Sequence, residues 1–213
     1  MIRSGFSFRI RLLKPSIRIL VILGFLLFFL AVYFPVSLLT IKNGVFHDVK
    51  FPGEESIPFL PWTFFIYISD YLLPAVAFFM VREKKELKGM FLAYGLAIVI
   101  HGVFWAVYPV HYLLRPDLGA HPAGLLKVIA RFYALDTPAV NCFPSLHVTY
   151  AFLSYFVFRR HGSRAAPAVF ILVVLISLST LTFKQHYVAD VLGGMVIAYL
   201  LNLFFIARRE VAI

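Results

Sequence analysis

The sequence predicts an all-α, polytopic integral membrane protein with six transmembrane helices and both termini in the cytoplasm. Three observations carry this expectation. Hydrophobic residues make up 62% of the 213 and the mean hydropathy is +0.88, where soluble domains hold roughly 45–50% apolar residues. The apolar residues gather into six runs, at roughly 19–40, 61–81, 90–110, 143–158, 165–182 and 187–207, and about 20 such residues cross a bilayer as a helix. Basic residues are unevenly shared between the two sides that these runs define.

The runs leave no room for a separate soluble domain, so residues 1–213 read as one membrane-embedded unit whose first 18 residues form a basic cytoplasmic tail. Run one follows Arg3, Arg9, Arg11, Lys14 and Arg18; it is too long for a signal-peptide core and lacks a small-residue cleavage site, so a retained helix is expected. With the N-terminus inside, the cytoplasmic side also receives Arg82, Lys84, Lys85, Lys88, Arg159, Arg160, Arg164, Arg208 and Arg209. The outside keeps Lys42, Lys50, Arg115, Lys127, Arg131 and Lys184, so 14 of the 20 Lys and Arg lie inside. The net charge of +10 then reflects loops facing anionic membrane lipid, and no nucleic-acid partner is needed. A single cysteine, Cys142, excludes an internal disulfide and any Cys-rich metal site.

Between the first two runs, residues 41–60 are rich in Pro, Gly and charge and predict an irregular outer cap. Asp70 near the middle of the second helix and His101 near the middle of the third reach similar depth, which predicts a structural pair, since ionisable groups inside a bilayer find one another. Pro and Gly break the chain after Pro109. Gly124 to Leu135, with Lys127 and Arg131 four apart, predicts an amphipathic helix on the outer surface. At the start of the fourth helix, Pro144 suits a first turn. The free N–H groups of that turn, with the Ser145 hydroxyl, form an anion site beside His147. In the sixth, His186 and Asp190 stand four apart on one helical face; the spacing serves equally a histidine activated by a carboxylate and a plain pair at a helix start. Ala189, Gly193, Gly194 and Ala198 give the small-residue spacing of a close helix contact. By this topology Arg115, Ser145, His147, Lys184, His186 and Asp190 converge at the outer ends of different segments, the ingredients of a metal-independent phosphoryl-transfer site.

The motifs LLRPD, FPSLH and STLTFKQHYVAD, within residues 108–190, resemble the three signatures of the type-2 phosphatidic acid phosphatase superfamily, the lipid phosphate phosphatases that share a helical core with vanadium haloperoxidases. Arg115 and Pro116 match the first signature, Pro144, Ser145 and His147 the second, and Ser179, His186 and Asp190 the third. Tyr108, Leu146 and Thr180 depart from it, replacing a Lys, a Gly and an Arg; Lys184 is a candidate replacement for one missing cation. The FPSLH and KQHY variants are similar to the branch containing the inositol phosphorylceramide synthases.

The resemblance implies a lipid phosphate substrate, with His186 as nucleophile, Asp190 as its orienting carboxylate and His147 as acid and then base. Arg115, Ser145 and Lys184 would hold phosphate oxygens. No metal and no cofactor is expected, since cations beside His147, His186 and Asp190 would repel one. Three functions stay open: a lipid phosphatase with its site on the extracytoplasmic face of the cell membrane, a phosphotransferase with a lipid or polyol acceptor, and a non-enzymatic transporter or scaffold.

Overall fold

A computed structural model describes residues 15–81 and 83–207, with the backbone alone at Lys84. Arg3, Arg9, Arg11, Lys14, Arg82, Arg208 and Arg209 lie outside the described residues. The helices are α1 (Pro15–Asn43), α2 (Thr63–Ser69), α3 (Leu73–Met80), α4 (Lys84–Val107), α5 (Gly124–Ala134), α6 (Leu146–Arg160), α7 (Ala166–Thr182) and α8 (Val188–Leu201), the last continued by a π-turn, Asn202–Ile206. Among the described residues the only β pairing is two isolated parallel bridges, His47 with Val110 and Val110 with Asn141, which stitch the loops together at one end.

Four helical segments are long and apolar enough to cross a membrane: Pro15–Asn43, Thr63–Met80, Lys85–Val107 and Val188–Ile206. Helices occupy all six predicted positions, but α6 has 15 residues and α7 has 17, short of a span of about 20. The predicted 61–81 helix is broken in two. Pro74 has no N–H to donate to the Asp70 carbonyl and its ring crowds that oxygen, so the chain tightens: Asp70, Tyr71, Leu72 and Leu73 each donate to the carbonyl three residues back. Such 3₁₀-type turns eclipse residues i and i+3, which stacks Tyr67 above Asp70.

Two expectations need correction. Arg18 belongs to α1 rather than to a basic tail: it is buried and its Nη1 donates to the carbonyls of Phe78 at 2.6 Å and Phe79 at 2.9 Å, capping the last turn of α3. Asp70 and His101 are not partners. His101 is enclosed in the core, with Nδ1 bonded to the Ala97 carbonyl at 2.7 Å and Nε2 to Thr149 Oγ1 at 3.1 Å. A local carbonyl and a hydroxyl on α6 therefore satisfy the ring, and Asp70 is free to bond elsewhere.

Helix α6 is the hub, burying most of its surface against its neighbours. Its far end pairs with the start of α4 through Arg160 Nε and Glu86 Oε1 at 3.2 Å, and His161 Nε2 and Glu86 Oε2 at 3.3 Å. Its near end meets the start of α8, where the Ser145 N–H donates to the Asp190 carbonyl at 3.0 Å. Gly194 makes that contact possible, since a Cβ there would lie 2.5 Å from the Ser145 carbonyl oxygen. The predicted close-packing face of α8 is thus used, Gly194 and Ala198 both being buried. Over the same end, the 41–60 segment forms the expected cap; its Glu54 is buried and accepts from the Val188 N–H at 3.2 Å, holding a carboxylate on the N-terminus of α8.

Candidate active site

His186 lies just before α8 because α7 ends at Thr182 and the chain reverses through Lys184, which takes a left-handed φ of 56°. The Gln185 and His186 N–H groups both donate to the Thr180 carbonyl, at 2.9 and 3.2 Å, fixing the reversal. One turn into α8, Asp190 is fully buried. Its Oδ2 accepts from the Tyr187 N–H at 2.9 Å and from His186 Nδ1 at 3.1 Å. An ionised carboxylate can only accept, so Nδ1 carries the proton and the Nε2 lone pair is left as the reactive edge. No hydrogen bond from the described residues occupies that edge.

His147, on the first turn of α6, faces His186 with ring centroids 5.9 Å apart. It has a carboxylate of its own. Nδ1 bonds Asp70 Oδ2 at 3.1 Å, and Nε2 is 2.6 Å from the hydroxyl of Tyr67. Both partners come from the tightened turn that Pro74 creates. Sequence reasoning missed Tyr67 and misassigned Asp70; the available signal was Pro74, four residues after Asp70, which predicts a break but not which histidine the break will face.

Ser145 is fully buried as the N-cap of α6, its Oγ accepting from the Val148 N–H at 3.4 Å. Pro144 precedes the cap instead of entering the first turn, so the N–H groups of Leu146 and His147 are the first-turn donors left without an intrahelical acceptor. Arg115 stacks over the Tyr133 ring at 4.7 Å. Its guanidinium contacts Asp136 Oδ2 at 2.7 Å, the Asp136 carbonyl at 2.6 Å and Gln185 Oε1 at 2.7 Å, while Tyr33 donates to the other Asp136 carboxylate oxygen. Lys184 is buried; burial pushes its ammonium below the ordinary lysine range against the pull of Glu54 and Glu55. Two departures from the signatures are accommodated elsewhere: Tyr108 stacks on His47 at 3.9 Å, and Thr180 bonds back to the Ser177 carbonyl.

A cavity of about 400 Å³ opens from the histidines into the bundle. Tyr67, Asp70, His147, Gln185 and His186 line its polar end, and Ile22, Phe25 and Phe78 its apolar end between α1 and α3. Arg115, Ser145, Lys184 and Asp190 stand outside its wall. Ile22 and Tyr33 both stand in its lining, and the helical rise between them sets its length along α1 at about 16 Å.

The described residues thus form an all-helical bundle, with segments long and apolar enough to cross a membrane and a histidine pair at the polar mouth of an apolar cavity. Residues 58–204 match the family model of the PAP2 superfamily, and the chain belongs to that superfamily, whose general chemistry is phosphoester cleavage and transfer. No curated protein and no solved structure matches it.

Proposed function

We infer that the protein is a lipid phosphatase that crosses the membrane six times, N- and C-terminus inside. It cleaves a phosphate monoester or diphosphate of a lipid at the extracytoplasmic face through a phosphohistidine on His186. The supporting observation is the pair of histidines, each tied at Nδ1 to a buried carboxylate, facing one another across a cavity with a polar mouth and an apolar floor. His186 Nε2 attacks phosphorus while Asp190 stabilises the positive charge that develops on the ring. His147 supplies a proton to the leaving oxygen and later removes one from the attacking water. The first-turn amides of α6 and the Ser145 region, Arg115 reaching in past Gln185, and Lys184 two residues from the nucleophile hold the phosphate oxygens. The lipid chain lies in the apolar end between α1 and α3, reached from the bilayer.

Transfer to an alcohol, as in the inositol phosphorylceramide synthase-like branch, is the second reading. It is favoured by the near-complete burial of His186, 7% exposed, because an enclosed nucleophile keeps bulk water from the phosphoenzyme.

Leaving-group chemistry tests the assignment. With p-nitrophenyl phosphate, whose phenolate departs unaided, His147→Ala is expected to release a burst near one equivalent of enzyme and to retain an acid-labile phosphohistidine, because only the second step then needs the base. His186→Ala is expected to give no burst. A burst surviving in His186→Ala would name the wrong nucleophile. Measuring inorganic phosphate and new phospholipid together, with and without an added alcohol, separates hydrolysis from transfer.

A further inference from the structure

We propose that Tyr67 is a catalytic residue: its hydroxyl relays the proton between His147 Nε2 and the oxygen that leaves or attacks phosphorus, and Asp70 is the positioning residue that holds His147 for it. The proposal rests on the histidine mechanism above and adds a link to it.

Three observations carry it. The nitrogen that a general acid would present to substrate is already occupied, since Tyr67 Oη sits 2.6 Å from Nε2. Tyr67 lines the cavity, as do His147 and His186, and its oxygen covers the nitrogen that His147 would otherwise turn to a reacting phosphate. The phenol ring is also locked. It packs against Phe183 at 5.1 Å, Phe132 at 5.8 Å and Tyr71 at 6.4 Å between centroids, and is 3% exposed. Swinging aside to clear Nε2 would tear it from this cluster, whereas turning the O–H bond costs little. His147 cannot retreat either, because Asp70 holds Nδ1. The eclipsed i, i+3 geometry of Tyr67 and Asp70 clamps both nitrogens of one ring from a single turn.

The protons balance in each half-reaction. In the first, the His186 Nε2 lone pair forms the N–P bond as the P–O bond to the leaving group breaks. The leaving oxygen takes the Tyr67 hydroxyl proton while Tyr67 takes the proton on His147 Nε2. In the second, the oxygen of water or an alcohol bonds phosphorus as the N–P bond breaks. Its proton passes to Tyr67 Oη, and the Tyr67 proton passes to His147 Nε2, restoring the imidazolium that Asp70 stabilises.

Tyr67→Phe keeps the ring and removes the relay oxygen. Rapid-quench formation of the phosphoenzyme is measured with two probes: dioctanoyl phosphatidic acid in mixed micelles, whose alkoxide must be protonated, and p-nitrophenyl phosphate, whose phenolate need not be. Phosphoenzyme formation from phosphatidic acid is expected to fall by about 100-fold or more in Tyr67→Phe, the scale of a lost general acid, with a much smaller change in the p-nitrophenyl phosphate burst. Asp70→Asn is expected to show the same dependence on leaving group, which a loss of folding would not produce, since misfolding lowers both rates together. Equal loss on both probes, or a rate at or above wild type on both, overturns the relay and makes Tyr67 a packing residue or a blocking one. If the wild-type protein forms no phosphohistidine with either probe, the underlying function fails and the relay with it. A phosphohistidine in wild type with no leaving-group dependence in Tyr67→Phe removes the relay alone.

Discussion

The two histidines differ in what their second nitrogens meet. His186 Nε2 faces the cavity with no hydrogen-bond partner among the described residues, which suits a nucleophile; His147 Nε2 is bonded to a phenol, which suits proton traffic. The same reasoning bears on the cations. Arg115 is neutralised by Asp136 and reaches the cavity only through Gln185, while Lys184 is held near Glu54 and Glu55 on a strained backbone. If Lys184 contributes charge to the phosphate site, Lys184→Met lowers turnover by about 10-fold or more, the worth of roughly one charge-assisted hydrogen bond, with little shift in thermal unfolding. A loss of turnover that merely tracks a loss of stability would assign Lys184 to the 41–60 cap.

At the scale of elements, the site depends on how closely the starts of α6 and α8 approach. Asp190 accepts from His186 with its side chain and from Ser145 with its carbonyl, so the carboxylate that holds His186 and the helix carrying His147 share one anchor. Gly194 sits directly behind it. A methyl group there meets a backbone oxygen at 2.5 Å and Val148 Cβ at 3.1 Å, whereas at Gly193 it meets side-chain atoms of Pro144 and Phe143 at 3.0 and 3.2 Å. Gly194→Ala is therefore expected to cost about 1–3 kcal/mol by overpacking and to lower activity by prising Asp190 from Ser145. Gly193→Ala, where side chains can give, is expected to cost less. Denaturation midpoints and turnover of the two variants, compared side by side, check the ranking.

For the whole molecule, the antiparallel arrangement separates the histidine pair from the Glu86, Arg160 and His161 cluster by the length of α6, about 22 Å for its 15 residues. The proposed N-in topology, argued from the distribution of basic residues, has the cluster in the cytoplasm and the histidines outside. Single cysteines test this cleanly, because the native Cys142 is buried and both chosen positions are exposed. In intact cells, Lys127→Cys is expected to react with a membrane-impermeant thiol reagent and Arg159→Cys to be protected until the membrane is opened. The reverse pattern would invert the topology.

Local pattern was enough for the broad features carried on single stretches of chain, though not for the break at Pro74 or the place of Pro144 before the α6 cap. Composition and run length specified an all-helical membrane protein, and Gly, Pro and charge marked the 41–60 cap and α5. The His186–Asp190 pair was visible because residues four apart at a helix start lie close in space, even though His186 sits just before α8 and only Asp190 is on it. Tertiary structure decided whatever depends on two elements meeting. Depth along the helices pointed Asp70 to His101, whereas its partner is His147. The choice turned on the break at Pro74, on Thr149 and Ala97 satisfying His101 from within the core, and on the packing of α6 that brings His147 to the tightened turn. Tyr67 carried no signal among 11 tyrosines, since a phenol on an apolar helix looks the same whether it faces lipid or a catalytic nitrogen. Only the bundle's three-dimensional closure, through the Phe132 and Phe183 rings that lock it, fixes which of these it does.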